Sequence, residues 1–213
     1  MGYCNFAALE RTPLERDPFD FVVVPDFVDS DRFPSVLADY PKVPGPGSHP
    51  PGELGIHGHF RGLIDELLGP EFRSAIERKF AIDLSGRPTM YTVRGYVQEK
   101  DGAIHTDSKT KIITVLLYMN EHWQADAGRL RLLRGPDNLD DYVAEVPPNG
   151  GTLLAFRRAD NSWHGHKPIS GQRRAIQLNW VTTQGVVDRE QRRHGFVTKL
   201  KKLKSIFLPG SAA

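Results

Sequence analysis

Beyond Gly86 the chain changes its hydrophobic period, and that change constrains the fold more than any other feature. Seven short segments, residues 89–98, 110–119, 128–133, 142–146, 152–157, 164–169 and 173–181, are rich in β-branched, aliphatic and aromatic residues with the alternation of strands. Gly, Pro, Asn and Asp separate them, as in Gly135-Pro136-Asp137-Asn138 and Pro147-Pro148-Asn149-Gly150-Gly151. Short helices followed by seven or eight short strands predict a mainly β fold with N-terminal helices, a double-stranded β-helix or jelly roll, rather than alternating βαβ units.

The preceding half supplies the helices. Residues 19–27 (FDFVVVPDF) read as a strand, with Pro25 marking an edge or a bend. Asp29 or Ser30 can cap a helix running to Asp39 with Phe33, Val36 and Leu37 on its apolar face. Residues 59–68 and 70–80 place Phe60, Leu63, Ile64 and Leu67, then Phe72, Ile76 and Phe80, at three- and four-residue spacing. Gly69 ends one helix and Pro70 opens the next, and the pair is expected to cover one face of the sheet. The polar, proline-marked residues 1–18 receive no element, and residues 41–55 (PKVPGPGSHPPGELG) predict a mobile loop, possible as a lid.

At 213 residues, with 39 % hydrophobic and 25 % charged residues, the chain has room for one domain. Within it residues 1–87 form a support region, 88–182 the core and 183–213 a basic extension. The net charge of +2, from 28 basic and 26 acidic residues, makes no general case for nucleic acid. Cys4 is the only cysteine, which excludes an internal disulfide and a thiolate metal cluster and suits a reducing interior. With no apolar run of ~18 residues and no apolar signal-peptide core, a cytoplasmic protein is expected. From Arg189 to Lys204 seven basic residues accompany Phe196, Leu200, Leu203 and Phe207 at helical spacing. Such a helix can pack on its own domain, lie on an anionic membrane surface or nucleic acid, or contact a second copy.

The chemistry concentrates in His105-Thr106-Asp107, in Ser162-Trp163-His164-Gly165-His166 and in Arg173-Arg174. On a strand, residues two apart share a face, so His105 and Asp107 can reach one ion while Thr106 points away. A second imidazole from His164 or His166 completes a 2-His-1-carboxylate set that leaves positions open, an arrangement suited to Fe(II) rather than structural zinc. With eight histidines in the chain, a lone His-x-Asp pair could equally be surface residues.

Five segments supply the context in order: Gly102-Ala103-Ile104-His105-Thr106-Asp107, Ile112-Ile113-Thr114-Val115-Leu116-Leu117-Tyr118-Met119-Asn120, Ala127-Gly128-Arg129-Leu130-Arg131-Leu132, Gly151-Thr152-Leu153-Leu154-Ala155-Phe156 and Trp163-His164-Gly165-His166-Lys167-Pro168-Ile169. Over residues 88–182 this series resembles the Fe(II)/2-oxoglutarate-dependent dioxygenases, in particular their prolyl 4-hydroxylase-like branch. The resemblance implies iron held by His105, Asp107 and His164, the last followed four residues on by Pro168. His166 is the competing ligand and otherwise a contact beside the co-substrate or a packed histidine.

The resemblance also implies an arginine on the far carboxylate of 2-oxoglutarate, where its fork binds bidentately. Spacing from His164, Pro168 and Gly171 selects Arg173, whereas a tryptophan six residues later, Trp180, selects Arg174. If Arg173 points inward so do Ala175, Gln177 and Asn179, while Ile176, Leu178 and Trp180 face the helices, which favours Arg173. Tyr118 matches the tyrosine that supports the same carboxylate in relatives, although a core aromatic is its alternative. Thr114 shares its face, and Tyr96 sits nine residues before His105 where relatives carry a pocket tyrosine. Ala127-Gly128 replaces the frequent Gly-Gly pair, a departure that touches no ligand.

By resemblance the activity is hydroxylation of a C–H bond with Fe(II), 2-oxoglutarate and dioxygen, releasing succinate and CO2, with ascorbate as an optional reductant of the iron. Retention of Asp107 favours hydroxylation over halogenation. A prolyl or other peptidyl side chain is the favoured substrate, with a small molecule or sugar as the alternative. The competing classes are a non-catalytic jelly-roll binding module and a zinc-dependent hydrolase or cupin-like enzyme independent of 2-oxoglutarate.

Overall fold

The computed structural model describes residues 2–190. The expected basic helix, with Phe196, Leu200, Leu203 and Phe207, lies outside them apart from its first two residues.

Two antiparallel sheets face each other. The larger has the order β1 (Phe21–Val24), β6 (Leu153–Arg157), β3 (Lys111–Tyr118), β8 (Gly171–Val181), β2 (Thr89–Val97). The smaller runs β5 (Tyr142–Val146), β4 (Leu130–Leu133), β7 (His164–Gly165). This is the expected mainly β, jelly-roll class. β1 occupies an edge, so Pro25, which has no N–H to give a neighbour, follows its last residue without cost.

Side-chain alternation divides the large sheet into two faces. Ile113, Val115 and Leu117 of β3, Leu153 and Ala155 of β6, and Ile176, Leu178 and Trp180 of β8 join the main core. The helices α3 (Gly58–Leu67) and α4 (Pro70–Phe80) supply the other half of that core through Phe60, Leu63, Ile64, Leu67, Phe72, Ile76 and Phe80. On the opposite face Tyr118, Leu154, Phe156 and Ala175 pack against Leu130, Leu132 and Val146 of the small sheet. Helices thus cover one face, as their apolar spacing predicts.

Four expectations need correction. Residues 2–18 contain a helix, α1 (Phe6–Arg11), whose N-terminus is capped by Asn5 Oδ1 accepting from the Ala8 N–H at 3.0 Å. It is too short to show a full apolar period, and only Leu9 is buried. Helix α2 (Phe33–Ala38) is shorter than expected, because Asp29 spends its carboxylate on the turn before it, accepting from Asp31 N–H and Arg32 N–H. The strand expected over residues 164–169 is reduced to His164–Gly165, since Pro168 cannot donate to a ladder. Residues 41–55 dock along the free edge of β2 instead of standing loose: His49 N–H donates to Val93 O at 3.0 Å and Val93 N–H to His49 O at 2.9 Å. Val43 is buried against Gly95, where any side chain would collide with it.

Phe72 joins the helical layer to the sheet, with its ring 5.8 Å from Trp180 and 5.7 Å from Phe27. Phe72→Ala is expected to lower unfolding free energy by about 3–5 kcal/mol in urea titrations. Leu68→Ala, at a position 45 % exposed in the same layer, should stay within about 0.5 kcal/mol of wild type.

Candidate metal centre and inner-face pocket

His105 and His164 are brought together by their backbones. Each donates its N–H to the other's carbonyl at 3.0 Å, an isolated antiparallel bridge that sets the rings 4.4 Å apart between centroids. Residues 105–107 therefore lie in an extended segment outside the named strands, where the spacing argument had placed a strand. The consequence for the side chains is the same: ligand atoms of His105, Asp107 and His164 all lie within 4.8 Å of one another. His105 is exposed, while Asp107 and His164 are buried.

Both imidazoles are oriented by carbonyls. His105 Nδ1 lies 2.9 Å from Ala103 O and His164 Nδ1 lies 3.0 Å from Ser162 O. A carbonyl only accepts, so each Nδ1 carries the proton and each Nε2 presents its lone pair, the form a cation needs.

Asp107 is held at both oxygens. Lys111 Nζ donates to Oδ1 at 2.7 Å and Thr114 Oγ1 to Oδ2 at 2.5 Å, while Asn179 Nδ2 donates to Thr114 Oγ1 at 2.9 Å. Burial alone would raise the Asp107 pKa, but the charges of Lys111 and His164 and the two side-chain hydrogen bonds outweigh it and hold the carboxyl below its ordinary range. Burial also pushes the His164 imidazole down to about 4, against the pull of Asp107. Sequence reasoning missed Lys111; a basic residue four positions beyond a candidate ligand was the available signal.

Further along the same inner face lie Arg173 and Tyr118. Arg173 is buried, its Nε donates to Gly128 O at 2.8 Å, and its Nη2 has no partner. Gly128 takes φ 75°, which turns that carbonyl toward the arginine in a conformation that side-chain-bearing residues avoid. The Arg173 guanidinium sits 5.2 Å from the Tyr118 ring centroid, and the fully buried Tyr118 Oη is also without a partner. Burial raises the Tyr118 pKa despite Arg173, so the phenol keeps its proton to donate.

The other expected residues lie elsewhere. Thr114 contacts Asp107 rather than the Arg173 end of the pocket. Arg174 faces the helices, with its guanidinium 5.4 Å from the Tyr40 ring, as its place on the alternate face of β8 requires. His166 is buried outside the group of three; its Nδ1 donates to Lys167 O at 2.9 Å, and Gly102 lies so close that a side chain there would collide with it. Tyr96 follows a bulge in the pairing of β2 with β8, is 40 % exposed, and lines an open groove of about 550 Å³ with Pro44, Pro46 and Gly171.

Two histidines and a carboxylate, two of the three buried, beside an unsatisfied arginine and tyrosine match the donor set of an oxygenase-type metal centre. Residues 90–182, which include all three candidate ligands, match the family model described as the 2OG-Fe(II) oxygenase superfamily. Members use Fe(II), 2-oxoglutarate and dioxygen. The chain's fold is that of the prolyl 4-hydroxylase-like oxygenases. A prolyl-4-hydroxylase from Pseudomonas putida is 18 % identical with a TM-score of 0.53, over 83 % of this chain and 90 % of that one. A prolyl hydroxylase from Trichoplax adhaerens, solved with a hypoxia inducible factor oxygen degradation domain peptide fragment, is 18 % identical with a TM-score of 0.53, over 83 % and 88 %. A 2OG-Fe(II) oxygenase family oxidoreductase from Burkholderia pseudomallei is 13 % identical with a TM-score of 0.53, over 84 % and 92 %. No curated protein sequence matches the chain.

The low His164 pKa has a measurable consequence. In the unfolded chain this imidazole takes a proton near 6.5, in the folded protein only near 4, so between these values the unfolded state binds more protons and stability falls as pH falls. Urea unfolding of metal-free protein should show that loss, and His164→Gln should flatten it. The part due to Asp107 is lost only at lower pH, beneath its ordinary value of 3.8.

Proposed function

We propose that this chain is a 2-oxoglutarate-dependent dioxygenase that hydroxylates a C–H bond of a peptidyl side chain, with proline the favoured residue, releasing succinate and CO2. In this reading His105, Asp107 and His164 hold Fe(II), and Arg173 with Tyr118 receives the far carboxylate of 2-oxoglutarate. The observation that carries it is the fit of donors to ligands. Ligand atoms of two imidazoles and a carboxylate lie within 4.8 Å of one another, and on the same inner face Arg173 Nη2 and Tyr118 Oη are buried without partners.

When bound, the metal couples oxidative decarboxylation of 2-oxoglutarate by dioxygen to replacement of a substrate hydrogen by hydroxyl. The chain's own residues position and insulate. Ala103 O and Ser162 O fix the imidazole tautomers, and Thr114 with Lys111 fixes the carboxylate. Leu130, Leu132 and Phe156 form an apolar wall on the inner face. The carboxylate of Asp107 occupies the position that a halide would need, which supports hydroxylation. A peptidyl substrate is supported by the peptide bound in the Trichoplax adhaerens relative. A cytoplasmic setting is supported by the single cysteine, Cys4.

Anaerobic titration of Fe(II)-loaded protein with 2-oxoglutarate tests the site. A saturable visible charge-transfer band is expected for wild type and none for Asp107→Ala. Arg173→Ala should need at least about tenfold more 2-oxoglutarate to saturate, the scale of one lost charge-assisted hydrogen bond. Wild-type protein that is folded and iron-loaded but gives no band sinks the reading.

A further inference from the structure

Four buried side-chain nitrogen or oxygen atoms among the described residues have no hydrogen-bond partner: Arg73 Nε, Arg94 Nε, Tyr118 Oη and Arg173 Nη2. Arg73 belongs to helix α4, on the other side of the large sheet. The remaining three belong together. Arg94 of β2 is paired with Ala175 of β8, and Ala175 with Tyr118 of β3, so Arg94 and Tyr118 project from the same face on either side of a small residue. Arg173 precedes Ala175 by two positions and shares that face.

Buried polar groups are normally satisfied, and a buried cation without an acid is costly. Neither Arg94 nor Arg173 forms an ion pair among the described residues, and the two carboxylates that act on Arg94 are engaged: Asp107 by Lys111 and Thr114, Asp101 by the Gln98 N–H. Burial and the neighbouring Arg173 charge lower the Arg94 pKa, outweighing the opposite pull of Asp101, Tyr118 and Asp107, as expected of two guanidinium groups close to one another. A carboxylate set among these groups would relieve the repulsion and meet all three orphan atoms, since its two oxygens offer about four acceptor positions.

We infer that Arg94 is a second cationic anchor for the far carboxylate of 2-oxoglutarate, closing with Arg173 and Tyr118 a three-sided seat. The inference rests on the site proposed above and adds a residue from the outermost strand of the sheet. Arg94 thereby makes the pocket selective for a dicarboxylic 2-oxo acid. An acid lacking the far carboxylate leaves both guanidiniums facing each other.

The test compares 2-oxoglutarate with 2-oxobutyrate, which keeps the 2-oxo acid end and lacks the second carboxylate. Both are titrated anaerobically into Fe(II)-loaded wild type, Arg94→Gln and Arg94→Lys, reading the charge-transfer band. Arg94→Gln should bind 2-oxoglutarate about tenfold to a hundredfold more weakly, the range for one charge-assisted hydrogen bond. It should bind 2-oxobutyrate as wild type does, which also shows the variant is folded. Arg94→Lys should recover part of the loss, keeping the charge without the planar fork. Equal 2-oxoglutarate affinity in wild type and Arg94→Gln overturns the inference and leaves the site assignment standing. Equal weakening for both acids overturns it too, assigning Arg94 to the support of the pocket as a whole. A wild type without a band overturns the site assignment and this inference with it.

Discussion

The two-residue alternation of the central strands is the constraint on which everything else depends. In β3 the sequence Ile113-Thr114-Val115-Leu116-Leu117-Tyr118 sends Ile113, Val115 and Leu117 into the core beneath the helices. The same alternation sends Thr114 and Tyr118 to the inner face, where one orients Asp107 and the other neighbours Arg173. β8 repeats the division, with Ile176, Leu178 and Trp180 on one side and Arg173, Ala175 and Asn179 on the other. A register slip of one residue would expose the core and bury the charges in one step, so burial of the apolar set enforces the geometry of the polar one. The pocket is thus built on the strands that contribute most to the core.

That construction makes the site electrostatically demanding. Asp107 and His164 are both nearly inaccessible, which disfavours the charged form of each. The carboxylate is kept ionised because Lys111 and Thr114 meet its two oxygens, while the imidazole is left neutral, with Nδ1 committed to Ser162 O. One anion and two neutral imidazoles are the ligand states that a divalent cation requires. The chain holds Asp107 and His164 in those states before any ion arrives, at the expense of stability in acid.

Much of this was legible in the sequence because it follows from short-range pattern. The change of period at Gly86 marked the sheets, Gly69-Pro70 marked the boundary of α3 and α4, and alternation in β8 separated Arg173 from Arg174. What escaped depended on pairing between distant segments. His105 looked like a strand residue, yet its position comes from a bridge to His164, which no local spacing encodes. Residues 41–55 have the composition of a loose loop and are nonetheless fixed by His49 on Val93, because an unpaired strand edge accepts any extended backbone that reaches it. Tyr96 lies past the bulge that follows Arg94, an extra residue on β8, where it is 40 % exposed and lines the open groove.

The same bulge accounts for the asymmetry of the pocket. Before it, β2 follows the register of β8, so Thr92 and Arg94 look inward opposite Gln177 and Ala175. After it, Tyr96 pairs with Gln172 and turns toward the docked loop and the open groove. Arg94 is thereby set inward beside Arg173. At the other end His105 is exposed, with Asp107 and His164 behind it. The inner face thus grades from solvent at the histidine pair to a closed, cationic end at the two arginines. A 2-oxo dicarboxylic acid would favour one orientation along that face, because reversing it would bring to the three ligand residues a carboxylate with no neighbouring oxo oxygen to bind the metal alongside it.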